Sequence, residues 1–457
     1  MAASRGSIHG EWSGRLMFVL AAIGSAVGLG NIWKFPYLAG QHGGGVFVLI
    51  YLAAVAVIGV PIMIAEIMIG RRGRGSPINS LRTLAVAEGR SARWGWLGGM
   101  GVATGFLILS YYSVIGGWTV AYALRTASGT FAQASSEAVS AAFNAFVGSP
   151  AALASWHTAF TLMTMFVVAR GVRGGLERAA RYMVPALFFI LLLLVGFAAA
   201  SGSFADGFTF LFAPDFARVS GAAILAALGQ AFFSLSLGMG AIMAYGAYLP
   251  RNVSIAPAAL QVAVADTVVA LLAGLAIFPV IFANGLDPSV QSVALAFIAL
   301  PLAFGQMPGG TVFGTLFFVL LVFAAWTSAI SIIEPAVAHL VERWGMTRRR
   351  ASLWAGAGVW LLGLGSVLSF NRWSEYTWFG RTFFEVVDFA TSNVMLPLGG
   401  LLIALYAGWV MRREASADEL ALSPAGYATW RNVIRYLTPF AMLLVLLQVS
   451  GALRWLG

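Results

Sequence analysis

Six ionisable side chains stand inside otherwise apolar stretches of this chain: Lys34, Glu66, Asp266, Glu334, Glu385 and Asp388. If those stretches cross a bilayer, each charge costs about 2.5–3.5 kcal/mol on insertion scales, so each calls for a partner or a function. Asp266 is the most informative. It lies amid Val264, Ala265, Val268 and Val269 with no basic residue nearby in sequence, and a buried lone carboxylate either takes up a proton or pairs with a cation. Coupling to Na⁺ or H⁺ is the natural inference. The run Ala324-Ala325-Trp326-Thr327-Ser328 adds hydroxyl oxygens, which either bond back to the preceding turn or serve a hard cation that prefers oxygen ligands. Lys34 and Asp388 fall at comparable depth and suit either a gate pair or a static salt bridge. Glu66 and Glu334 are expected to hydrogen-bond the backbone exposed where helices break.

Two clusters mark such breaks. One is Gly24-Ser25-Ala26-Val27-Gly28-Leu29-Gly30-Asn31; the other is Ser234-Leu235-Ser236-Leu237-Gly238-Met239-Gly240. Each puts glycines and polar side chains at membrane depth, where an intact helix gains nothing from them. Freed amides and half-helix N-termini favour a carboxylate, and freed carbonyls can ligate a cation. Irregular backbone at that depth is tolerable only where it lines a cavity or is buried in protein. The pairs Gly95/Gly99 and Gly101/Gly105 read instead as close helix packing.

The elements that carry these residues follow from composition. Of 457 residues, 60% are hydrophobic and 10% charged, with a mean hydropathy of +0.86; a soluble protein carries about 25% charged residues. A water-soluble enzyme is excluded. The absence of cysteine excludes disulfide frameworks, thiol catalysis and iron–sulfur clusters. The net charge of +10 has no soluble domain on which to form a nucleic-acid face, and no organic cofactor or obligatory protein partner is expected.

Eleven hydrophobic segments are long enough to span a bilayer, near 16–39, 44–69, 97–124, 152–169, 182–201, 219–249, 258–283, 310–341, 352–370, 383–411 and 433–453. The first lacks a signal peptide's short apolar core and cleavage site and reads as a retained helix. The expected fold is therefore an all-α polytopic membrane protein, one transporter domain over 1–457. Breaks in spans one and six, five spans apart, define two halves, about 12–201 and 219–411. Because five is odd, the halves are inverted repeats, with helix eleven added. Arginine supplies 26 of the 27 basic residues and crowds alternate loops, after spans two, four, eight and ten. The positive-inside rule then puts the N-terminus in the cytoplasm and the C-terminus outside, in a multi-pass protein of the cell (inner) membrane. The stretches 125–151 and 284–309 are expected to be non-helical and outside, as lids or a vestibule wall.

Four stretches, Ser25 to Phe47, Gly59 to Arg71, Gly229 to Leu249 and Ala324 to Pro335, resemble the neurotransmitter:sodium symporters, the family of the bacterial leucine transporter and the animal monoamine, GABA and glycine carriers. The resemblance runs from Trp12 through span eleven and is greatest to the type that carries several hydrophobic amino acids. It implies two Na⁺ sites. One would use the Ala26 carbonyl, Asn31, Ser234, Asp266 and the substrate carboxylate; the other would use the carbonyls of Gly24, Val27 and Ala324 with the hydroxyls of Thr327 and Ser328. The substrate pocket would be lined by Ser25, Ala26, Gly28, Gly30, Tyr112, Phe233, Ser236, Met239, Ser328 and Ile332, with Tyr112 donating to the carboxylate and Phe233 as the outer lid. Lys34 and Asp388 would form the outer gate. Trp12 and Glu342 would form the cytoplasmic gate, where His9 replaces an expected Arg and either His9 serves or Arg5 reaches across.

Gly28 stands where monoamine carriers have Asp, so the substrate should bring its own carboxylate. A neutral, hydrophobic L-amino acid carried inward by alternating access is the implied cargo. Asp266 and Ala270 stand where chloride-dependent relatives have Asn and Ser, which implies transport without chloride, the carboxylate taking a proton once Na⁺ leaves. The rival readings are a proton-driven permease of the same architecture, a non-transporting amino-acid sensor, an ion channel and an intramembrane hydrolase. No ring of like charges marks a pore, and no nucleophile stands at recognisable spacing from a base.

Overall fold

The computed structural model describes residues 8–200, 202–289 and 292–450, and among them everything regular is helical. Among the described residues, nine continuous helices are long and apolar enough to cross a membrane: Gly45–Gly73, Ala92–Ala127, Pro150–Val168, Val172–Ala199, Ile255–Ala283, Gly310–Trp344, Arg348–Ser369, Phe383–Val410 and Pro424–Val449. They coincide with spans two to five and seven to eleven and carry those numbers below. Their outward faces are apolar; Leu162, Phe166, Phe189 and Leu353 are all more than half exposed, as suits side chains that meet lipid.

Spans one and six are interrupted. Span one is a bent pair, Arg15–Ala26 and Gly30–Gln41, turning by 52°. The break begins at Val27, whose extended backbone (φ −71°, ψ 106°) ends the first half. Span six consists of Gly221–Ser234 and Ala241–Ala247, of 14 and 7 residues, each too short to cross alone. Between them Ser236, Gly238 and Gly240 have φ of 55°, 83° and 77°. A left-handed Ser is unfavourable, and its hydroxyl donates to the Ser25 carbonyl at 2.9 Å, joining one break to the other. A side chain at Gly238 would stand 2.6 Å from the Leu396 carbonyl oxygen, so span ten closes over the break only because no Cβ is there.

Spans three and eight, the longest helices, run against each other and bring Tyr112 and Ser328 to the breaks. At the arginine-rich end, loops are tied by ions. Glu88 takes Arg72 and Arg412, and buried Arg71 pairs with Glu419 and donates to the Val253 carbonyl. At the opposite end, the stretches expected to be non-helical contain helices, Ser136–Val147 and Leu300–Gln306. The first is started by Ser135, whose hydroxyl accepts from the Ala138 amide at 3.3 Å. Its small polar residues suggest a loop in the sequence, whereas in the fold they form one exposed face of a short amphipathic helix.

Candidate ion and substrate site

Asp266, wholly buried in span seven, meets the start of the second half of span one. Its carboxylate accepts from Asn31 Nδ2 at 2.7 Å, from Ser234 Oγ at 2.5 Å and from Tyr51 O–H at 3.3 Å. Asn31 in turn accepts the Gly28 amide at 3.0 Å, fixing the break to the cluster. No basic side chain pairs with Asp266 among the described residues. Three of the residues implied for one cation, Asn31, Ser234 and Asp266, thus stand together. The buried Gln230 donates to the Gly30 carbonyl at 2.8 Å, leaving its own oxygen without a partner.

The second cluster lies where span eight crosses the first half of span one. Ser328 Oγ is 3.5, 3.2 and 3.1 Å from the carbonyl oxygens of Gly24, Ser25 and Val27. Thr327 Oγ1 donates back to Phe323 O at 2.9 Å and lies 3.2 Å from Ala324 O. Thr327 therefore makes the helix's own bond while its oxygen stays beside the cluster. Both clusters are rich in neutral or anionic oxygens, the donor chemistry of a hard cation, although in the first Asn31 turns its Nδ2 to Asp266 and Ser234 and its Oδ1 to the Gly28 amide.

Between the clusters is a closed cavity of about 20 Å³, lined by Ala26, Gly28, Gly30, Ile108, Tyr112, Phe233, Ser236, Met239, Ser328 and Ile332. Tyr112 O–H accepts the Leu29 amide at 3.2 Å, which leaves its proton to give to an anion. A Cβ at Gly28 would meet Ser328 Oγ at 2.6 Å and Tyr112 O–H at 3.0 Å; one at Gly30 would meet the Phe233 ring at 2.9 Å. Ser25 departs from its expected place in the lining: its hydroxyl donates to Ser331 at 2.8 Å, behind the pocket wall. Ile108 takes a place there that the motifs do not mark. Its signal is its spacing, one turn before Tyr112 on span three.

A second cavity of about 260 Å³ lies beyond, lined by Trp33, Lys34, Tyr111, Phe233, Phe384 and Asp388 among others. Phe233 borders both cavities and partitions them. Lys34 Nζ sits 4.1 Å above the Phe233 ring, while Asp388 accepts the Ser392 hydroxyl at 2.9 Å. Lys34 and Asp388 face one cavity without forming an ion pair among the described contacts, so the expected outer gate is not made by contact: the cavity separates them. Glu385 caps span ten instead, exchanging hydrogen bonds with Thr382.

The arginine-rich end is sealed. Glu342 accepts from His9 at 2.8 Å, from the Ser76 amide at 2.7 Å, from the Ser76 hydroxyl at 2.6 Å and from Asn79 at 2.6 Å. His9 therefore fills the position expected of a basic partner; Arg5 lies outside the described residues. Trp12, 1% exposed, donates its ring N–H to Tyr245 O at 3.0 Å and its backbone N–H to Tyr248 O at 3.0 Å. Glu66 accepts the Gly238 amide at 2.7 Å, supporting the span-six break as its position suggests. Glu334 does not bond broken backbone: it accepts from Tyr248 O–H at 2.6 Å and pairs with Arg348. Its neighbour Pro335 lies beside Gly240 of the span-six break, but the Glu334 carboxylate itself is taken by Tyr248 and Arg348.

Glu177 belongs to no motif, and the sequence reading passes over it. Buried at the start of span five, it accepts both the Ser13 amide at 3.0 Å and the Ser13 hydroxyl at 2.6 Å, with Arg181 at 3.0 Å. It thus clamps the segment leading into span one. An acid isolated among Arg170, Arg173, Arg178 and Arg181 is the available signal.

The model of the sodium:neurotransmitter symporter family matches residues 9–145 and 126–453. A sodium-dependent transporter of Bacillus subtilis, YhdH, is 39% identical over 447 residues, covering 97% of this chain and 98% of its own. A sodium-dependent transporter of Haemophilus influenzae is 34% identical, covering 96% and 97%. Among solved structures, the crystal structure of MhsT in complex with L-phenylalanine superposes with a TM-score of 0.89 at 40% identity, covering 96% of this chain and 99% of that one.

Proposed function

This chain belongs to the sodium:neurotransmitter symporter family, and on that premise we propose that it carries a neutral, hydrophobic L-amino acid into the cell by sodium-coupled symport. The observation that carries this reading is the position of one uncharged pocket between two oxygen-rich clusters at paired helix breaks. The substrate's carboxylate would lie against Tyr112 O–H and the amides of span one, its side chain against Ile108, Met239 and Ile332. With no room for a carboxylate at Gly28, the protein offers no counter-charge for an amine and leaves that charge to the cargo. L-Phenylalanine, bound by the solved relative, is the first candidate.

Two Na⁺ would be carried, one at Asn31, Ser234 and Asp266 and one at Gly24, Val27, Ala324, Thr327 and Ser328. The first is shared with the substrate carboxylate, so each ligand raises the other's affinity by the same factor. Asp266 would balance that cation without chloride and take a proton on the return step. The architecture would be two inverted five-helix halves plus helix eleven, in the inner membrane with the N-terminus and the arginine-rich end in the cytoplasm. Alternation would trade the open cavity over Phe233 for one opened at Glu342.

The test is a melting-temperature screen of the purified full-length protein against the twenty amino acids, in Na⁺ and in choline, followed by uptake into proteoliposomes. Hydrophobic amino acids should raise Tm in Na⁺ only and be taken up with or without chloride; Asp266→Asn with Ala270→Ser should make uptake chloride-dependent. Stabilisation by no amino acid would sink the pocket assignment, and a chloride requirement in the unaltered protein would sink the role of Asp266.

A further inference from the structure

Away from the transport site, spans four and nine leave between them a groove of about 200 Å³ on the lipid side, walled by Thr158, Leu162, Met165, Leu353, Ala357 and Trp360. The two helices are pinned at both ends of this groove. Trp360 donates its ring N–H to Thr158 at 2.8 Å, and Arg348 donates to the Val168 carbonyl at 2.9 Å. Met165 already packs against Gly356, and Ala357 contributes only a methyl, so the rest of the space between the helices stays unfilled. The groove therefore stands open to acyl chains along its length.

Its arginine-rich end carries cations that are not taken up by carboxylates, as is also true of several arginines elsewhere in these loops. Arg71, Arg72, Arg74, Arg181 and Arg348 each pair with a carboxylate. Arg170, Arg349 and Arg350 are exposed and have no carboxylate partner among the described residues. Arg349 and Arg350 precede Leu353 by four and three residues, so they extend the wall on which Leu353 stands. Arg170 lies at the far side, its guanidinium held 3.9 Å over the ring of Phe166, which is itself one turn from Leu162. Span nine also begins here, capped by Thr347, so the positive end of its dipole adds to the three guanidinium groups.

We propose that this groove and its three arginines are a binding site for an anionic phospholipid of the leaflet at the arginine-rich end, one acyl chain in the groove and the phosphate on Arg170, Arg349 and Arg350. The choice of occupant rests on charge and depth. Basic residues between transmembrane helices at headgroup level attract anionic headgroups, and an apolar groove leading from them into the hydrocarbon suits the attached chain. A second copy of this chain would bring its own arginine cluster to the same level and meet repulsion. Through Arg348, which holds Glu334 as well as Val168, the bound lipid would brace span nine against spans four and eight.

The experiment is native mass spectrometry of the delipidated full-length protein with phosphatidylglycerol and phosphatidylcholine of identical chains. Phosphatidylglycerol should be retained preferentially. Arg170→Ala, Arg349→Ala and Arg350→Ala together should abolish the preference, each change weakening retention about fivefold. Ala357→Trp should reduce retention of both lipids by occupying the groove. A monodisperse elution profile and an unchanged Tm in detergent show that each variant is folded, independently of any transport assay. Equal retention of the two lipids, or a preference surviving the triple substitution, would overturn the proposal. So would full competition by inorganic phosphate with no effect of Ala357→Trp, which marks a free-anion site, or a dimer that Ala357→Trp dissociates, which assigns the groove to a second copy.

Discussion

The two ends of the central pathway are closed by different physics. At the arginine-rich end, donors from two segments converge on Glu342, and Trp12 is fastened by two hydrogen bonds. At the other end Phe233, with Lys34 above it and Tyr112 beside both spaces, stands between a pocket of about 20 Å³ and a cavity of about 260 Å³. Charged hydrogen bonds are directional and are lost together when their acceptor moves, so the first end behaves as a latch. A ring turning about its side-chain bonds breaks no strong bond, so the second behaves as a flap. In this conformation the work of alternation is concentrated at the latch.

The sharpest way to break this contrast is to remove the acceptor. The chain has no cysteine, so a reporter introduced by Ala22→Cys, on span one between the latch and the pocket, or by Ile115→Cys, in the larger cavity, is the single reactive thiol. Glu342→Ala strands four donors, and losing one partner of a buried charged network costs about 3–5 kcal/mol. Labelling at position 22 should rise at least a hundredfold while labelling at position 115 falls; unchanged rates would show that the latch lies elsewhere. Glu177→Gln keeps an acceptor for Ser13 but loses its charge, and a charged hydrogen bond exceeds a neutral one by about 1–2 kcal/mol. The same assay should give a rise of roughly tenfold, and no rise would reduce Glu177 to a packing role. Lys34→Ala should matter least, because it removes a cation–π contact and breaks no ion pair: about 0.5–1 kcal/mol, or under about fivefold at position 115. A larger change would mean that the attraction between Lys34 and Asp388 across the cavity, and not the ring contact, holds this end.

The breaks in spans one and six were legible because an intact helix at membrane depth has no use for paired glycines beside polar side chains, and Asp266 because a carboxylate among valines demands a partner. The lining of the pocket was legible wherever a motif surrounded the residue, as at Met239 and Ile332. Ile108 was not, since an isoleucine in a span looks like any lipid-facing neighbour until span eight is laid against span three. Ser25 and Glu334 failed for a shared reason. Neighbourhood in sequence indicates which turn a side chain leaves from, not which direction it takes, and Ser331 and Arg348 claimed these two. The helices at 136–147 and 300–306 were hidden by length, too short for a periodic signal to stand above their small residues.

Gly28 has a consequence for how substrate class can change along a lineage. A new Cβ there would lie 2.6 Å from Ser328 Oγ and 3.0 Å from Tyr112 O–H. The first of these belongs to the proposed second ion cluster and the second to the proposed seat of the carboxylate, so on that proposal a protein-borne acid at position 28 displaces groups on which cation and amino acid both depend. The route from amino-acid carrier to amine carrier is therefore not one step from this sequence. The intermediate with only Gly28→Asp holds neither cargo well, and the change becomes passable only after span eight or span three has first given way.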